Sequence, residues 1–148
     1  MLTLAAATCA AAGLIPPAPA GCQARLGLAD GRLCLPEDEA ASLLVDILAR
    51  AGEVYDGLFR EADIVELTGR WPWAEVVLPQ ARTVAVQGRR SALTVSRILV
   101  VFKNDRPLYV FWGNPDYRMD EVLAAPGLDQ AALAALRALA RGAPREPG

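Results

Sequence analysis

Along this chain of 148 residues the apolar positions first recur every three or four residues and later every second residue. The change of period comes near position 80 and predicts a mixed α+β domain. In the first stretch Ala40, Leu44, Ile47, Ala51, Tyr55 and Leu58 form one stripe, widened by Leu43, Leu48 and Phe59. Asp38, Ser42, Asp46, Arg50, Glu53 and Arg60 fall mostly on the other side, so residues 37–60 read as one long amphipathic helix. Pro36 suits its start, and Glu37, Asp38 and Glu39 suit the positive end of its dipole. Asp46 with Arg50, and Asp56 with Arg60, add pairs one turn apart. Gly52 and Gly57 each cost about 1 kcal/mol relative to alanine and invite a bend or break.

Beyond position 80, residues 83–87 alternate with Val84 and Val86 on one face, and Gly88-Arg89-Arg90 reads as a turn. Residues 91–102 begin by alternating through Leu93 and Val95, then turn apolar on both faces from Ile98 onward, as a strand covered on both sides does. After the loop 103–106, residues 108–112 place Leu108, Val110 and Trp112 on one face. The expectation is an antiparallel three- to four-stranded sheet, a meander over about 83–112, with residues 64–67 and 76–78 as weaker strand candidates. Strand 91–102 is then central, leaving 83–87 and 108–112 as edges open to pairing. Asn114-Pro115-Asp116 ends the sheet. A C-terminal helix over about 129–141 follows, with Asp129 as N-cap, Leu128 stapled onto Leu133, and Gly142 at its close. The predicted architecture is the long helix lying across one face of the sheet, with the C-terminal helix beside it or at an edge. Residues 21–143 make one domain and residues 144–148 a disordered tail.

The amino-terminal segment breaks both patterns. Residues 1–15 carry no charge, are rich in alanine and leucine, and give way to Pro16, Pro17 and Pro19. This matches the apolar region of a signal peptide, although no Lys or Arg precedes it. Its length falls short of the roughly 20 residues that span a bilayer. Ala18-Pro19-Ala20 fits cleavage before Gly21, whereas Ala20-Gly21-Cys22 partly matches a bacterial lipoprotein lipobox, with Pro19 where leucine usually stands. With Cys9 in the leader, Cys22 and Cys34 remain: they either form a disulfide in an oxidising compartment, or Cys22 carries lipid and Cys34 stays a thiol. Asp30-Gly31 suggests a hairpin placing Leu33 opposite Leu28 and Cys34 opposite Gly27. In that register a disulfide needs the chain before Arg25 to fold back, which favours the lipid.

Charge and chemistry narrow the function classes. Fifteen basic residues against 17 acidic ones give a net charge of −2, and only Arg89 and Arg90 are adjacent basic residues, which argues against nucleic acid as partner. Histidine is absent, so no Ser-His-Asp or Cys-His arrangement exists and zinc would have to rely on two cysteines and carboxylates. The phosphate-cradling and nucleophile-elbow patterns do not occur either, and no cofactor, metal or catalytic residue is expected. Asp116, Asp120 and Glu121 are the remaining acid/base candidates, but residues 120–125 read more simply as a short helix with Asp116 capping a turn. Arg70-Trp71-Pro72-Trp73 is the feature most open to a binding role: proline stiffens the turn and two indoles can stack on a sugar, peptide or headgroup, with Trp112 and Tyr117 extending the platform. The competing expectation is that both indoles fold down onto the core.

These observations point to an exported, non-catalytic binding or partner-interaction protein of the cell envelope, in the periplasm or anchored to a membrane surface by a lipid on Cys22. The alternatives are a cytoplasmic adaptor or chaperone-like module whose first helix belongs to the fold, and a small enzyme working through carboxylates.

Overall fold

A computed structural model of the chain describes residues 21–54, 57, 59–125, 128 and 130–142. In chain order the elements are β1 (Ala24–Leu28), β2 (Gly31–Cys34), α1 (Glu37–Arg50), β3 (Glu53–Val54), α2 (Glu61–Arg70), β4 (Trp73–Val84), β5 (Leu93–Lys103), β6 (Arg106–Gly113), β7 (Leu123–Ala124) and α3 (Ala131–Leu139). The strands lie in the order β2-β1-β4-β5-β6-β7-β3, each pair antiparallel, in one open sheet. The α+β class, the β4-β5-β6 meander and the central place of β5 agree with the sequence pattern. The leader, the tail and Asp129 lie outside the described residues.

Period-two alternation divides the side chains between two faces. Ala24 and Leu26 of β1, Ala74, Val76 and Leu78 of β4, Ile98, Val100 and Phe102 of β5, and Val110 and Trp112 of β6 share one core. Over it lie α1, through Ala40, Ala41, Leu44, Ile47 and Leu48, and α3, through Leu133 and Leu136. The opposite face holds Trp73, Leu99, Val101 and Phe111, covered by Phe59, Ile64 of α2, Tyr117 and Val122. This second cover explains why β5 is apolar on both sides from Ile98 onward.

Four boundaries differ from expectation. The first helix stops at Arg50 rather than near 60: Ala51 turns extended, with ψ 111°, and its N–H still reaches Leu48 O at 3.2 Å before Gly52 follows. Residues 64–67 are helical, not a strand. There the Asp63 carboxylate accepts the Arg60 N–H at 2.8 Å at the helix start, and Ile64 and Leu67 sit one turn apart facing the sheet. Residues 120–125 form no helix, because Leu123 is drawn into the core as β7, opposite Val110. The expected edge 108–112 is flanked by β7 at Tyr109 and Val110, and β1 flanks β4 along Trp73–Val76, whereas Arg82–Val84 pair with β5 alone; the outermost strands are β2 and β3.

The β1–β2 hairpin is shifted by two residues from the expected register. Leu28 pairs with Gly31, so the turn is Ala29-Asp30, and Cys34 faces Arg25 instead of Gly27. The shift keeps every side chain on its face. It also draws Cys34 toward the start of β1, where its Cα lies 5.6 Å from that of Cys22 and the two form a disulfide.

Candidate functional site: a buried arginine–glutamate–tyrosine cluster

On the face opposite α1 the strands carry charge into the interior. Glu75 stands on β4 between Trp73 and Val77, directly opposite Arg25 of β1 and opposite Leu99 of β5. Arg97 lies two residues from Leu99, on the same face and diagonal to Glu75, within reach of a long side chain. Arg25 Nη2 donates to Glu75 Oε1 at 2.6 Å, and Arg97 Nη2 donates to Oε2 at 2.9 Å. The Tyr117 hydroxyl donates to the same Oε2. Side-chain exposure is 3% for Arg25, 2% for Glu75 and 28% for Arg97, so only Arg97 keeps partial contact with water.

Tyr117 enters from the loop after β6. A cis bond joins Asn114 to Pro115, Gly113 bridges to Tyr117, and the Arg118 N–H reaches Trp112 O at 2.8 Å. A Cβ on Gly113 would stand 1.7 Å from Asp116 O, so the loop closes this tightly only over glycine. Burial pushes the Tyr117 hydroxyl pKa well above 10, the Glu75 charge adds to this, and the Arg97 charge opposes it. For Arg97, burial lowers the pKa, but the facing Tyr117 and Glu75 outweigh it and the guanidinium ends above its ordinary value. Aromatic rings close the cluster: Arg25 lies 5.3 Å from the Trp73 ring centroid and Arg97 lies 4.8 Å from that of Tyr117. Gly27 leaves room for the indole, since a Cβ there would fall 2.1 Å from Trp73 Cε2.

Two guanidiniums, one carboxylate and a phenol held in its neutral form fix β1, β4, β5 and the 114–117 loop to one another. Glu75 has both oxygens engaged, which suits a clamp better than a proton-transfer base. No local sequence pattern marks these charges, because their partners are brought together only by strand register.

The residues expected to form an aromatic platform separate. Trp73 is buried at 5% exposure and belongs to the cluster, as does Tyr117 at 7%. Trp71 is half-buried at the end of α2, with Lys103 Nζ 5.5 Å from its ring centroid, and Arg70 beside it is exposed. Trp112 projects from the other face of the sheet into the α1 core, its Nε1–H donating to Glu121 O at 2.8 Å. It cannot extend a surface built on Trp71, because odd and even positions of β6 point to opposite sides.

Two of the three acidic candidates, Asp120 and Glu121, are ion-paired. Asp120 accepts two bonds from Arg118 at 3.0 and 2.9 Å, and the Arg118 hydrogen bond holds its carboxyl below the ordinary range. Glu121 meets Arg89 at 2.8 Å and Arg118 at 3.1 Å, while Asp116 is exposed in the loop. Among the described residues no three His, Cys, Asp or Glu gather to hold a metal ion, and no helix is long and apolar enough to cross a membrane. Compared with protein-family models, with curated proteins and with solved structures, the chain matches none of them.

Cys22 is paired with Cys34, their Cα atoms 5.6 Å apart. A register with Cys34 opposite Gly27 would hold the two cysteines apart; with Cys34 opposite Arg25 that obstacle to the disulfide is gone.

Proposed function

We propose that this protein is exported through its apolar leader and acts outside the cytoplasm as a non-catalytic, disulfide-stapled binding protein of the cell envelope. The observation that carries this reading is the Cys22–Cys34 bond, since disulfides persist in oxidising compartments and are rare in the cytosol. A non-catalytic role is supported by the saturated Glu75 and the arginine-paired Asp120 and Glu121, which leave the exposed loop residue Asp116 without a second acid/base group beside it in the open, unpaired state. The proposed contact surface is the stiff turn after α2, where Trp71 presents part of its ring with Lys103 and the exposed Arg70 beside it. A fusion of residues 1–24 to a reporter active only in the periplasm tests export. Reporter activity supports the reading, and a silent reporter with the fusion intact in the cytoplasm refutes it.

A further inference from the structure

A second surface lies on the other side of the molecule, between the first turns of α1 and helix α3. A trough of about 480 Å³ runs there, with Leu43, Ala135 and Leu139 as its apolar lining and Asp38, Glu39 and Ser42 along its α1 rim. On α3 the trough is walled by Ala135 and Leu139, and the exposed positions beside that wall are unusual for a surface helix: Ala131, Ala134, Arg137 and Ala138, where an amphipathic helix ordinarily turns charged side chains to water. Alanines allow another helix to approach at the short end of the 8–10 Å packing range.

The rim adds a sign. Glu37, Asp38 and Glu39 form no ion pair among the described residues, and the helix dipole accounts for acids in this turn without compensating the charge they turn outward. Arg137, the one cation within α3, stands 3.9 Å from Asp105. We propose that the trough docks an amphipathic helix of a partner polypeptide, one with an apolar face and with lysine or arginine where it meets Asp38 and Glu39. A second copy of this chain fits less well, because it would bring its own Glu37, Asp38 and Glu39 into the same trough. The proposal stands independently of export.

The test uses the oxidised protein with its native amino terminus and a fluorescent helical peptide of about 18 residues, leucine on one face and lysine on the other. Anisotropy should report saturable binding that weakens with added salt. Ser42→Trp, at an exposed helix position, should weaken it at least about tenfold with the far-UV circular dichroism unchanged, by filling the trough. Asp38→Asn with Glu39→Gln should weaken it by about three- to tenfold and flatten the salt dependence, as loss of two exposed pairs implies. A leucine/glutamate peptide should not bind. The proposal is overturned by lysine-peptide binding indifferent to Ser42→Trp, by no binding, or by self-association that Ser42→Trp abolishes.

Discussion

Replacing Glu75 by glutamine probes the buried cluster most sharply. The carboxylate holds Arg25 at 2.6 Å and Arg97 at 2.9 Å and accepts the Tyr117 hydroxyl, so Glu75→Gln keeps the shape while removing the negative charge that both guanidiniums share. Removing one member of a buried ion pair costs about 3–5 kcal/mol. Nearly all of that should come from Arg25, whose side chain is 3% exposed, because Arg97 at 28% recovers part of its hydration. Against a total stability of about 5–15 kcal/mol the loss is large. At roughly 3–5 °C per kcal/mol for a domain of this size it should appear as a melting point lower by about 10–20 °C. Urea titration followed by tryptophan fluorescence, with the disulfide intact, measures it directly. Exchanging the whole cluster for apolar groups (Arg25→Met, Glu75→Leu, Arg97→Met and Tyr117→Phe together) should restore stability to within about 2 kcal/mol of wild type, because no charge is then left unpaired. A Glu75→Gln variant within about 1 kcal/mol of wild type would refute the argument that these charges depend on one another.

Three further expectations follow from the same geometry. Gly27→Ala should cost about 1–3 kcal/mol and shift tryptophan emission to the red, because the new methyl displaces the Trp73 ring; unchanged emission would mean that the indole does not lie over β1. Reducing the disulfide, or changing Cys34 to alanine, should lower stability by about 3 kcal/mol, the loop-closure value for Cys22 and Cys34 with their separation of 12 residues, and equal denaturation midpoints for oxidised and reduced protein would contradict it. Tyr117 keeps its proton in the fold above the pH near 10 at which the unfolded chain releases it, so the folded state binds more protons there and stability falls as pH rises past about 10. Urea midpoints between pH 9 and about 11 should fall more steeply for wild type than for Tyr117→Phe, and parallel curves would remove Tyr117 from the account.

The fold was readable where a period ran long enough to be unambiguous. Residues 91–102 announced a strand covered on both sides, and the structure supplies both covers, α1 over Val100 and Phe102 and the Phe59–Ile64 layer over Leu99 and Val101. The stripe through Ala40, Leu44 and Ile47 likewise belonged to a helix. That helix looked longer than it is because Tyr55, Leu58 and Phe59 continued its spacing, although Gly52 already marked the break at Arg50. The 64–67 run was too short to separate a helix from a strand by pattern, and the Arg60–Asp63 start that decides it carries no apolar signal. The cluster was the least legible part. Arg25 and Glu75 lie 50 residues apart and Tyr117 another 42 beyond, so only the β1–β4–β5 register brings them together. The one local hint was a charge at an inward position of a strand, as at Glu75 in Trp73-Ala74-Glu75-Val76-Val77, where a solvent-facing alternation would not place it.

Exported, stapled protein differs in mass from every competing form. Intact-mass analysis of the chain purified from its native host, before and after reduction, should find a species beginning at Gly21 that gains about two hydrogens on reduction as Cys22 and Cys34 become thiols. A species that retains Met1 with free thiols, or one bearing an acyl group on Cys22, would contradict it.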